Sequence, residues 1–296
     1  MAGSTMRQEL RNEMPKSWLD WMGIHAPDMD VPGSSKPEAQ PAPAFQPEEA
    51  NALYREVFDA LQVPRRLSGP RRVRRGAYEI ASEIFPAQFF SGDFVSVFDA
   101  GQATFFAIGD IAGKGLTAAM WSTHILGLIR TYSASLGSPQ AVLEAINRDL
   151  YVLGSVPLTT MFLARLDGHK GELRYSNAGH CVPLLHRANG DIEQLSTGGP
   201  VLAAVHGAEF EAAQIAFSPG DMLVGYSDGL IECRDQNGEE FGLERLQETI
   251  RCSAKLRSDK ALFSIVGAAQ DFGAGTPRAD DLSLMVVAGA PLSSGS

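Results

Sequence analysis

The hydrophobic pattern of this 296-residue chain predicts strands from about Tyr78 onward. Short runs rich in β-branched and aromatic residues, such as DFVSVFDA and ATFFAIGD, are separated by turn residues. That first pair flanks Gly101, and later pairs flank Asp167-Gly168 and Asn189-Gly190, two dipeptides that favour hairpin turns. DMLVGYSDG and DLSLMVVAG complete the set. The pattern therefore predicts hairpin-connected, antiparallel strands.

Helical periodicity predicts two pairs of helices between the strands. Apolar residues from Trp121 to Tyr132 recur at the spacing of one helix face, and a second helix is predicted to begin after Ser138, with Pro139 in its first turn. Two more helices are expected within 242–272. Helix pairs between groups of antiparallel strands indicate layers, with sheets inside and helices outside. The chain lacks a βαβ rhythm with a glycine-rich first turn, which excludes a Rossmann fold.

The first 46 residues read as a proline-rich arm, because 7 of the 17 prolines lie within about the first 47 positions. Trp18 and Trp21 in this arm leave two interpretations open. They belong either to a docking or dimerisation peptide or to a short helix packed on its own domain. The second is favoured, because exposed aromatic patches are uncommon on monomers.

Residues 47–76 are predicted to hold a regulatory or linker helix followed by a basic loop. Leu53, Val57 and Leu61 lie on one face of the helix, which is expected to end at Pro64. Six arginines follow between Arg65 and Arg75. They form either a solvated loop that contacts the chain's own acids or a patch for an anion or acidic partner. The acidic remainder of the chain favours the loop.

Composition and charge exclude several classes of protein. The hydrophobic fraction of 44% excludes wholesale disorder, and 25 basic against 35 acidic residues give a formal net charge of −10. A net anion is poorly suited to bind nucleic acid or an anionic membrane, so we expect neither as a partner. No apolar stretch approaches the length of a membrane span. The three widely spaced cysteines form no zinc-like set and suit a reducing cytoplasm.

Four aspartates at predicted strand ends are the candidates for chemistry: Asp93 in SGDF, Asp110 in IGDIAGKG, Asp228 in YSDGL and Asp280 in ADDLSL. Carboxylates gathered at one place repel one another unless protons or cations neutralise them. Hard divalent ions such as Mg²⁺ or Mn²⁺ prefer oxygen ligands, and the absence of clustered His or Cys argues against zinc. GDIAGKG is not a P-loop, since it lacks the spacing GxxxxGK[ST].

The same segments resemble the bacterial PPM-type (type 2C-like) serine/threonine phosphatases of the SpoIIE/RsbU branch. GDIAGKG resembles that family's GDVSGKG, SGDFVSVF its GGDFYDVF, NAGHCVPLL its NAGHNPPLL, and DDLSLMVV its DDxTLxVV. SPGDMLVGYSDGLIECRDQNGEEFG resembles a further long stretch that contains TDG. Together the matches cover about residues 77 to 289 in the family's order, and the phosphatase domain is predicted over 77–290.

The resemblance implies an α+β fold, an αββα sandwich of two antiparallel β-sheets flanked by helices. It also implies a site for two ions, Mn²⁺ or Mg²⁺, which activate a water for attack on phosphorus. Position by position, it implies these groups at the metals: Asp110 as the bridging ligand, the backbone carbonyl of Ile111, Asp228 and Asp280 as further ligands, and Asp93 acting largely through bound water. Asp281 is expected to lie behind the direct ligands.

Three positions need separate comment. Ser96 stands where the family often has a second acid, so we expect any metal contribution from that position to be lost. His180 in NAGH is either a replacement general acid or, as we prefer, a turn-stabilising histidine bonded to nearby backbone. Lys114 is expected either to meet a phosphate or to be solvated.

The resemblance implies hydrolysis of phosphoserine or phosphothreonine on a regulatory protein, the branch's usual substrate being a STAS-type anti-sigma-factor antagonist in a partner-switching circuit. The alternative is a pseudophosphatase, a non-catalytic module that binds a partner. The arm of about 47 residues is too short for a sensor domain, since domains usually have about 50–200 residues. Regulation is therefore expected through another chain, or through homodimerisation by the N-terminal region.

Overall fold

The computed structural model describes residues 63–87, 90–154 and 156–289 of the chain. These residues belong to one compact unit that covers 61–296. The predicted arm with Trp18 and Trp21, and nearly all of the helix predicted to follow it, lie outside the described residues. Within the described part, no helix has the length and apolar character needed to cross a membrane.

Strands alternate with helices along the chain in the order that the hydrophobic pattern predicts. The strands are β1 (Arg72–Arg75), β2 (Tyr78–Phe85), β3 (Phe94–Ala100), β4 (Ala103–Ile111), β5 (Thr159–Asp167), β6 (Glu172–Ala178), β7 (Leu184–His186), β8 (Ile192–Gln194), β9 (Gly198–Gly199), β10 (Ala213–Ala216), β11 (Met222–Tyr226) and β12 (Leu282–Gly289). The helices are α1 (Leu116–Leu136), α2 (Pro139–Leu153), α3 (Asp228–Ile231), α4 (Gly242–Ser253) and α5 (Ser258–Phe272).

The strands form two sheets of different order. Sheet A has the order β1-β2-β12-β11-β7-β8, with every neighbouring pair antiparallel. Sheet B has the order β10-β6-β5-β4-β3, also antiparallel. The two residues of β9 add a short parallel pairing to β6. The predicted sandwich of antiparallel sheets is therefore confirmed apart from this small parallel piece.

Three apolar clusters lie between the four layers of the fold, which are two sheets and a helix pair on the outer side of each. One fills the space between the sheets, one lies between sheet B and the helices α1 and α2, and one lies between sheet A and the helices α4 and α5. Strand β4 contributes to two of them, with Phe106 facing the other sheet and Phe105 facing the helices. Burying one such side chain contributes about 1.5–3 kcal/mol, so the central strands are stabilised from both sides.

The hairpin predictions hold, although one turn uses a different glycine from the one expected. Between β5 and β6 the residue with left-handed backbone is Gly171, with φ of +65°, rather than Gly168. Asp167 closes this turn by accepting hydrogen bonds at Oδ1 from the backbone N–H groups of His169 and Lys170. The loop between β5 and β6 is longer than the two-residue turn expected, and its left-handed residue, Gly171, lies at its end, where the chain re-enters the sheet.

Two local predictions at the N-terminal edge of the described residues are wrong. The helix was expected to end at Pro64, but residues 63–68 are helical. Proline has a φ compatible with a helix, although it removes the N–H donor and its ring crowds the carbonyl four residues earlier, and here the Ser68 hydroxyl donates to the Pro64 carbonyl at 2.9 Å. The predicted basic loop is also wrong for Arg72–Arg75, which pair with β2 as strand β1. Sheet A thus extends to the N-terminal side of residue 77.

Candidate metal centre

Asp93 and Asp110 lie beside each other because two neighbouring strands of sheet B end there. Asp93 immediately precedes β3, and Asp110 is the penultimate residue of β4. The strands pair antiparallel, with Phe94 opposite Gly109, so the start of β3 and the end of β4 meet at one sheet end. Burial raises the pKa of Asp93, and the charge of the neighbouring Asp110 raises it further.

Asp228 and Asp280 lie at one end of sheet A for the same reason. Asp228 begins helix α3 two residues after β11 ends, and Asp280 stands two residues before β12 begins. These strands are antiparallel neighbours, with Tyr226 opposite Leu284. Gly229 packs on the backbone between the two segments, where an added Cβ would lie 2.0 Å from the carbonyl oxygen of Asp281. The glycine of the Asp-Gly pair therefore permits a close backbone approach.

The ends of the two sheets face each other closely enough for their charges to interact. Burial raises the pKa of Asp110, and the carboxylates of Asp228 and Asp280 raise it further. Asp110 belongs to sheet B, whereas the other two adjoin strands of sheet A. The structure thus brings the four sequence-predicted aspartates together at one end of the sandwich.

Asp93 is the most deeply buried of the four, with 5% of its surface exposed. Burial, followed by the charge of Asp110, raises its pKa to about 8, and the hydroxyls of Ser227 and Ser283 oppose the rise. Its Oδ2 atom has no hydrogen-bond partner among the described residues. A buried carboxylate oxygen without a partner costs free energy, and a cation or a cation-bound water would relieve that cost.

Three oxygens from the end of β4 and the loop that follows it converge on Gly92. A Cβ at position 92 would lie 2.8 Å from the Ile111 carbonyl oxygen, 3.1 Å from Asp110 Oδ1 and 3.3 Å from the Gly113 carbonyl oxygen. The side-chain oxygen of Asp110 and the backbone oxygen of Ile111 therefore border the same small space, which a larger residue than glycine would fill. Oxygen ligands of this kind fit Mg²⁺ or Mn²⁺.

The carboxylates do not form a side-chain cage for an ion. Among the residues that the structure describes, no three His, Cys, Asp or Glu side chains converge closely enough to hold one metal. A metal at this end would therefore need water and a backbone carbonyl oxygen besides carboxylates, and Mg²⁺ usually keeps several waters and takes only one or two carboxylates. The carbonyl of Ile111 supplies one such oxygen, so the residues present fit the implied ions.

Asp281 holds the backbone in front of Asp93. Its Oδ1 accepts from the N–H of Ala87 at 2.7 Å, and its Oδ2 accepts from the N–H of Gly92 at 3.2 Å. Both oxygens are thus used within the protein, and the carboxylate fixes the position of Gly92. Its expected place behind the direct ligands stays a prediction.

His180 is a buried, structural histidine. Its backbone N–H donates to Asn177 Oδ1 at 2.8 Å, Asn177 Nδ2 donates back to its carbonyl, and its Nδ1 lies 2.9 Å from Thr160 Oγ1. Burial lowers its pKa to about 4, so the ring is neutral at pH 7 and is not a proton donor of the imidazolium type. The sequence did not single out Thr160, which also accepts at Oγ1 from the Asp110 N–H at 3.3 Å.

Lys114 is exposed, so of its two predicted situations the solvated one is confirmed, and contact with a phosphate stays a prediction. Its Nζ lies 3.1 Å from Asp280 Oδ1 and donates to the Ala279 carbonyl at 3.2 Å. The loop of sheet B that carries Asp110 is thereby linked to the segment that precedes β12. Gly113 and Gly115 on either side have φ of +121° and +82°, a backbone that favours glycine and that sets the direction of the loop.

Ser96 is fully buried in β3, and its hydroxyl has no partner among the described residues. It alternates with Val95 and Val97, which face sheet A, and shares the helix-facing side of the strand with Phe94 and Phe98. Its side chain is therefore part of the packing beneath α1 and α2. The expected loss of a metal contribution at this position remains a prediction.

Comparison with known proteins identifies the family. Residues 100–288, more than half of the chain, match the model of the family "Stage II sporulation protein E (SpoIIE)". The chain belongs to this family. Its resemblance to the SpoIIE/RsbU branch of bacterial PPM-type phosphatases is thereby confirmed.

Two curated proteins and two solved structures are similar to this SpoIIE-family chain. It is 28% identical over 237 residues to the phosphoserine phosphatase RsbU of Bacillus subtilis, with 78% of this chain and 69% of RsbU covered. It is also 26% identical over 211 residues to protein IcfG of a Synechocystis strain. This match covers 62% of this chain but only 33% of IcfG. The chain therefore matches about a third of that relative's length.

The solved structures support the fold. The PP2C domain of SiaA from Pseudomonas aeruginosa superimposes with a TM-score of 0.68 at 16% identity, covering 82% of this chain and 98% of that domain. RsbX, solved in complex with magnesium, superimposes with a TM-score of 0.56 at 15% identity, covering 73% of this chain and 97% of RsbX. The PPM phosphatase fold predicted from the sequence is confirmed.

Proposed function

We propose that this chain is a metal-dependent protein phosphatase of the cytoplasm that hydrolyses phosphoserine or phosphothreonine on a regulatory protein, a STAS-type anti-sigma-factor antagonist. The observation that supports this most is the meeting of carboxylates from the ends of two sheets: the charges of Asp228 and Asp280 act on Asp110. Asp110 in turn acts on the buried Asp93, whose Oδ2 has no hydrogen-bond partner among the described residues. Such a cluster is unfavourable without cations and suits chemistry on a phosphate anion.

Two ions, Mn²⁺ or Mg²⁺, would be held by these groups: Asp110, the carbonyl oxygen of Ile111, Asp228, Asp280, and Asp93 largely through water. When bound, such a pair supplies an activated water and stabilises the phosphoryl oxygens. The chain's own residues prepare the place. Asp281 fixes the segment before Asp93, and Gly92 leaves open the space that Asp110 Oδ1 and the Ile111 carbonyl border.

Covalent catalysis by the nearby cysteine is unfavourable. Burial and the charges of Asp228 and Asp93 raise the pKa of Cys181 to about 12, so the thiol stays protonated at neutral pH. A protonated thiol is a poor nucleophile. His180 is neutral at that pH for the reason given above, and the reaction proposed here therefore uses water as its nucleophile and needs no phosphoenzyme.

The choice of substrate draws on the relatives. RsbU is by its name a phosphoserine phosphatase, and the match to it covers 78% of this chain. We extend that activity to this chain, together with a STAS-type substrate and a partner-switching role. The domain boundaries 1–46, 47–76 and 77–290, and regulation through another chain or a homodimer by the N-terminal region, belong to the same proposal.

Hydrolysis assays on two substrates test the proposal. Phosphate release from a phosphoserine STAS-domain protein and from p-nitrophenyl phosphate is measured with Mn²⁺, with Mg²⁺ and with chelator. We expect metal-dependent release from both, lost in Asp228→Asn and kept in Asp271→Asn, which changes an exposed acid on α5. Absence of release at saturating Mn²⁺ would favour the pseudophosphatase, and activity that survives Asp228→Asn would refute the metal site.

A further inference from the structure

A patch of exposed apolar side chains lies at one end of the helix pair α1 and α2. Of the eleven large hydrophobic residues that are exposed among those described, six belong to it. We call this the rim patch, and its residues are Leu116, Met120, Val152, Leu153, Leu158 and Val205. Val152 is 78% exposed and Met120 is 66% exposed, which is unusual for two apolar side chains on one surface.

The topology brings the segments of the patch to one end of the helix pair. Helices α1 and α2 are joined by only Gly137 and Ser138 and pack against each other, so they run in opposite directions. The start of α1, with Met120, is thereby placed beside the end of α2, with Val152. The loop with Val205 is fixed on α2, because Asn147 Nδ2 donates to the Val205 carbonyl at 3.0 Å.

The rim patch borders the candidate metal centre. The backbone N–H of Ala112, two residues after Asp110, donates to the Leu158 carbonyl at 2.8 Å. Leu116 follows the same loop, two residues after Lys114, whose ammonium contacts Asp280. A protein whose phosphorylated side chain entered the metal centre would therefore have its surface opposite these residues.

The segments that build the patch carry no charged side chains. Residues 115–122, 151–160 and 196–208 contain no Asp, Glu, Lys or Arg, in a chain with a charged fraction of 20%. A short phosphopeptide recognised through flanking charges would have no counter-charge here. In contrast, burial of an apolar face of a folded protein against the rim patch would contribute favourable free energy of binding.

We propose that the rim patch is the docking surface for the folded phosphoprotein substrate, the STAS-type protein of the proposed function, on which this inference rests. The patch recognises an apolar face of that protein next to its phosphoserine. Recognition therefore depends on the fold of the substrate and not on the sequence around the phosphorylated residue.

Two variants and a matched control test the assignment. Met120→Glu and Val152→Glu introduce a charge at highly exposed positions, where folding tolerates it, and Phe263→Glu does the same at a 58% exposed position on α5 in the opposite helix layer. For each, kcat/KM is measured with Mn²⁺ on the phosphorylated STAS-domain protein, on a short phosphoserine peptide copied from it, and on p-nitrophenyl phosphate.

We expect the wild-type chain to prefer the folded protein to its peptide by about tenfold or more, and both patch variants to lose that preference. Their activity on the peptide and on p-nitrophenyl phosphate, and all activities of Phe263→Glu, should stay within about twofold of wild type. The inference is overturned if the wild type does not prefer the folded protein, or if the patch variants behave as Phe263→Glu does. An equal loss on all three substrates also overturns it.

A binding measurement separates this inference from the proposed function. The affinity for the phosphorylated STAS-domain protein is measured in chelator, where no turnover occurs. A wild type that binds the protein, patch variants that bind about tenfold more weakly, and no hydrolysis of any substrate would retain the docking surface and reject the phosphatase activity. If sedimentation instead shows that the patch variants only convert a dimer to a monomer and bind the phosphoprotein normally, the patch joins two copies and the inference fails.

Discussion

Replacing Gly92 with alanine is the most direct structural test of the candidate metal centre. The φ of Gly92 lies outside the left-handed region that favours glycine, so alanine can adopt the backbone without strain. Its methyl group, however, would meet the Ile111 carbonyl oxygen at 2.8 Å and Asp110 Oδ1 at 3.1 Å. Real Cβ atoms essentially never approach another atom closer than 3.0 Å, so the loop after β4 must shift by a few tenths of an ångström.

Such a shift has a small cost for folding and a larger one for metal binding. Overpacking of one methyl group costs about 1–3 kcal/mol, which a domain with three apolar clusters can tolerate. Metal–ligand distances, in contrast, tolerate only about ±0.2 Å. Because both displaced oxygens belong to the implied ligand set, we expect Gly92→Ala to weaken Mn²⁺ binding by about tenfold or more.

Calorimetric titration with Mn²⁺ and thermal melting in chelator measure the two effects separately. Gly127→Ala is the control, since nothing lies within 4 Å of an added Cβ at that position in α1. It should bind Mn²⁺ as the wild type does and be more stable by about 0.5–1 kcal/mol, because alanine favours a helix. If Gly92→Ala folds and binds Mn²⁺ with wild-type affinity, the space in front of Gly92 is not part of a metal site.

Three further variants test the electrostatics. Asp93→Asn should raise the melting temperature in chelator at pH 8, because the folded pKa of Asp93, about 8, lies above its unfolded value and the buried charge destabilises the fold more as the pH rises. The same variant should abolish Mn²⁺-dependent hydrolysis of p-nitrophenyl phosphate, and retained hydrolysis would contradict the role of Asp93. The folded pKa of His180, about 4, lies below its unfolded value, so the protein loses stability as the pH falls from about 6.5. Between pH 6.5 and 4.5 the free energy of unfolding, measured with denaturant, should fall by about 2–3 kcal/mol more in the wild type than in His180→Gln. Equal losses in the two proteins would refute this assignment. A cation at Asp280 must displace the Lys114 ammonium, so Lys114→Met should bind Mn²⁺ about two- to fivefold more tightly in the same titration, whereas weaker binding would contradict the competition.

The hairpins were predictable from the sequence because their signals are local. Gly101, with φ of +62°, lies between β3 and β4, where Ala100 pairs with Ala103. Pro139 begins α2 as the rule for first-turn prolines predicts. Each of these features depends on residues within a few positions of one another, so no knowledge of the tertiary structure was needed.

The order of the strands was not predictable in this way. Strand β12 lies between β2 and β11, although about 200 residues of chain separate it from β2. The central strands are buried on both faces, so their residues do not alternate between apolar and polar, and the pattern carries no information on which face meets which layer. Strand β1 was missed because three of its four residues are arginines, so it does not resemble a strand by composition, although its residues are exposed and partly exposed in alternation.

The face of α1 shows a related limit of the periodicity argument. Of the predicted stripe from Trp121 to Tyr132, Ile125 is buried in the cluster, whereas the other members pack at its margin. The buried face also includes small and polar residues such as Ala118, Ser122 and Ser133. Close packing of a helix on a sheet selects for small side chains at the contact, and a count of hydrophobic residues does not register them.

The candidate site likewise has features that the sequence predicts and features that it does not. Its aspartates could be located from the sequence, because each follows or precedes a strand in a segment that matches the family. The contacts that give them their properties could not, since they join the ends of different sheets: Lys114 to Asp280, and Asp281 to the N–H of Gly92. The burial of Asp93 likewise depends on the meeting of the two sheets.

This division explains why the acidic cluster belongs at the end of the sandwich. Each sheet contributes carboxylates from strand ends, where the backbone is leaving the hydrogen-bonded ladder and its carbonyl oxygens, such as that of Ile111, are free to face the same space. The repulsion among the carboxylates is offset by the apolar clusters along the strands, which hold the two sheet ends together. A cation that bound here would stabilise the fold by removing that repulsion, so occupancy of the site and stability of the sandwich should rise together.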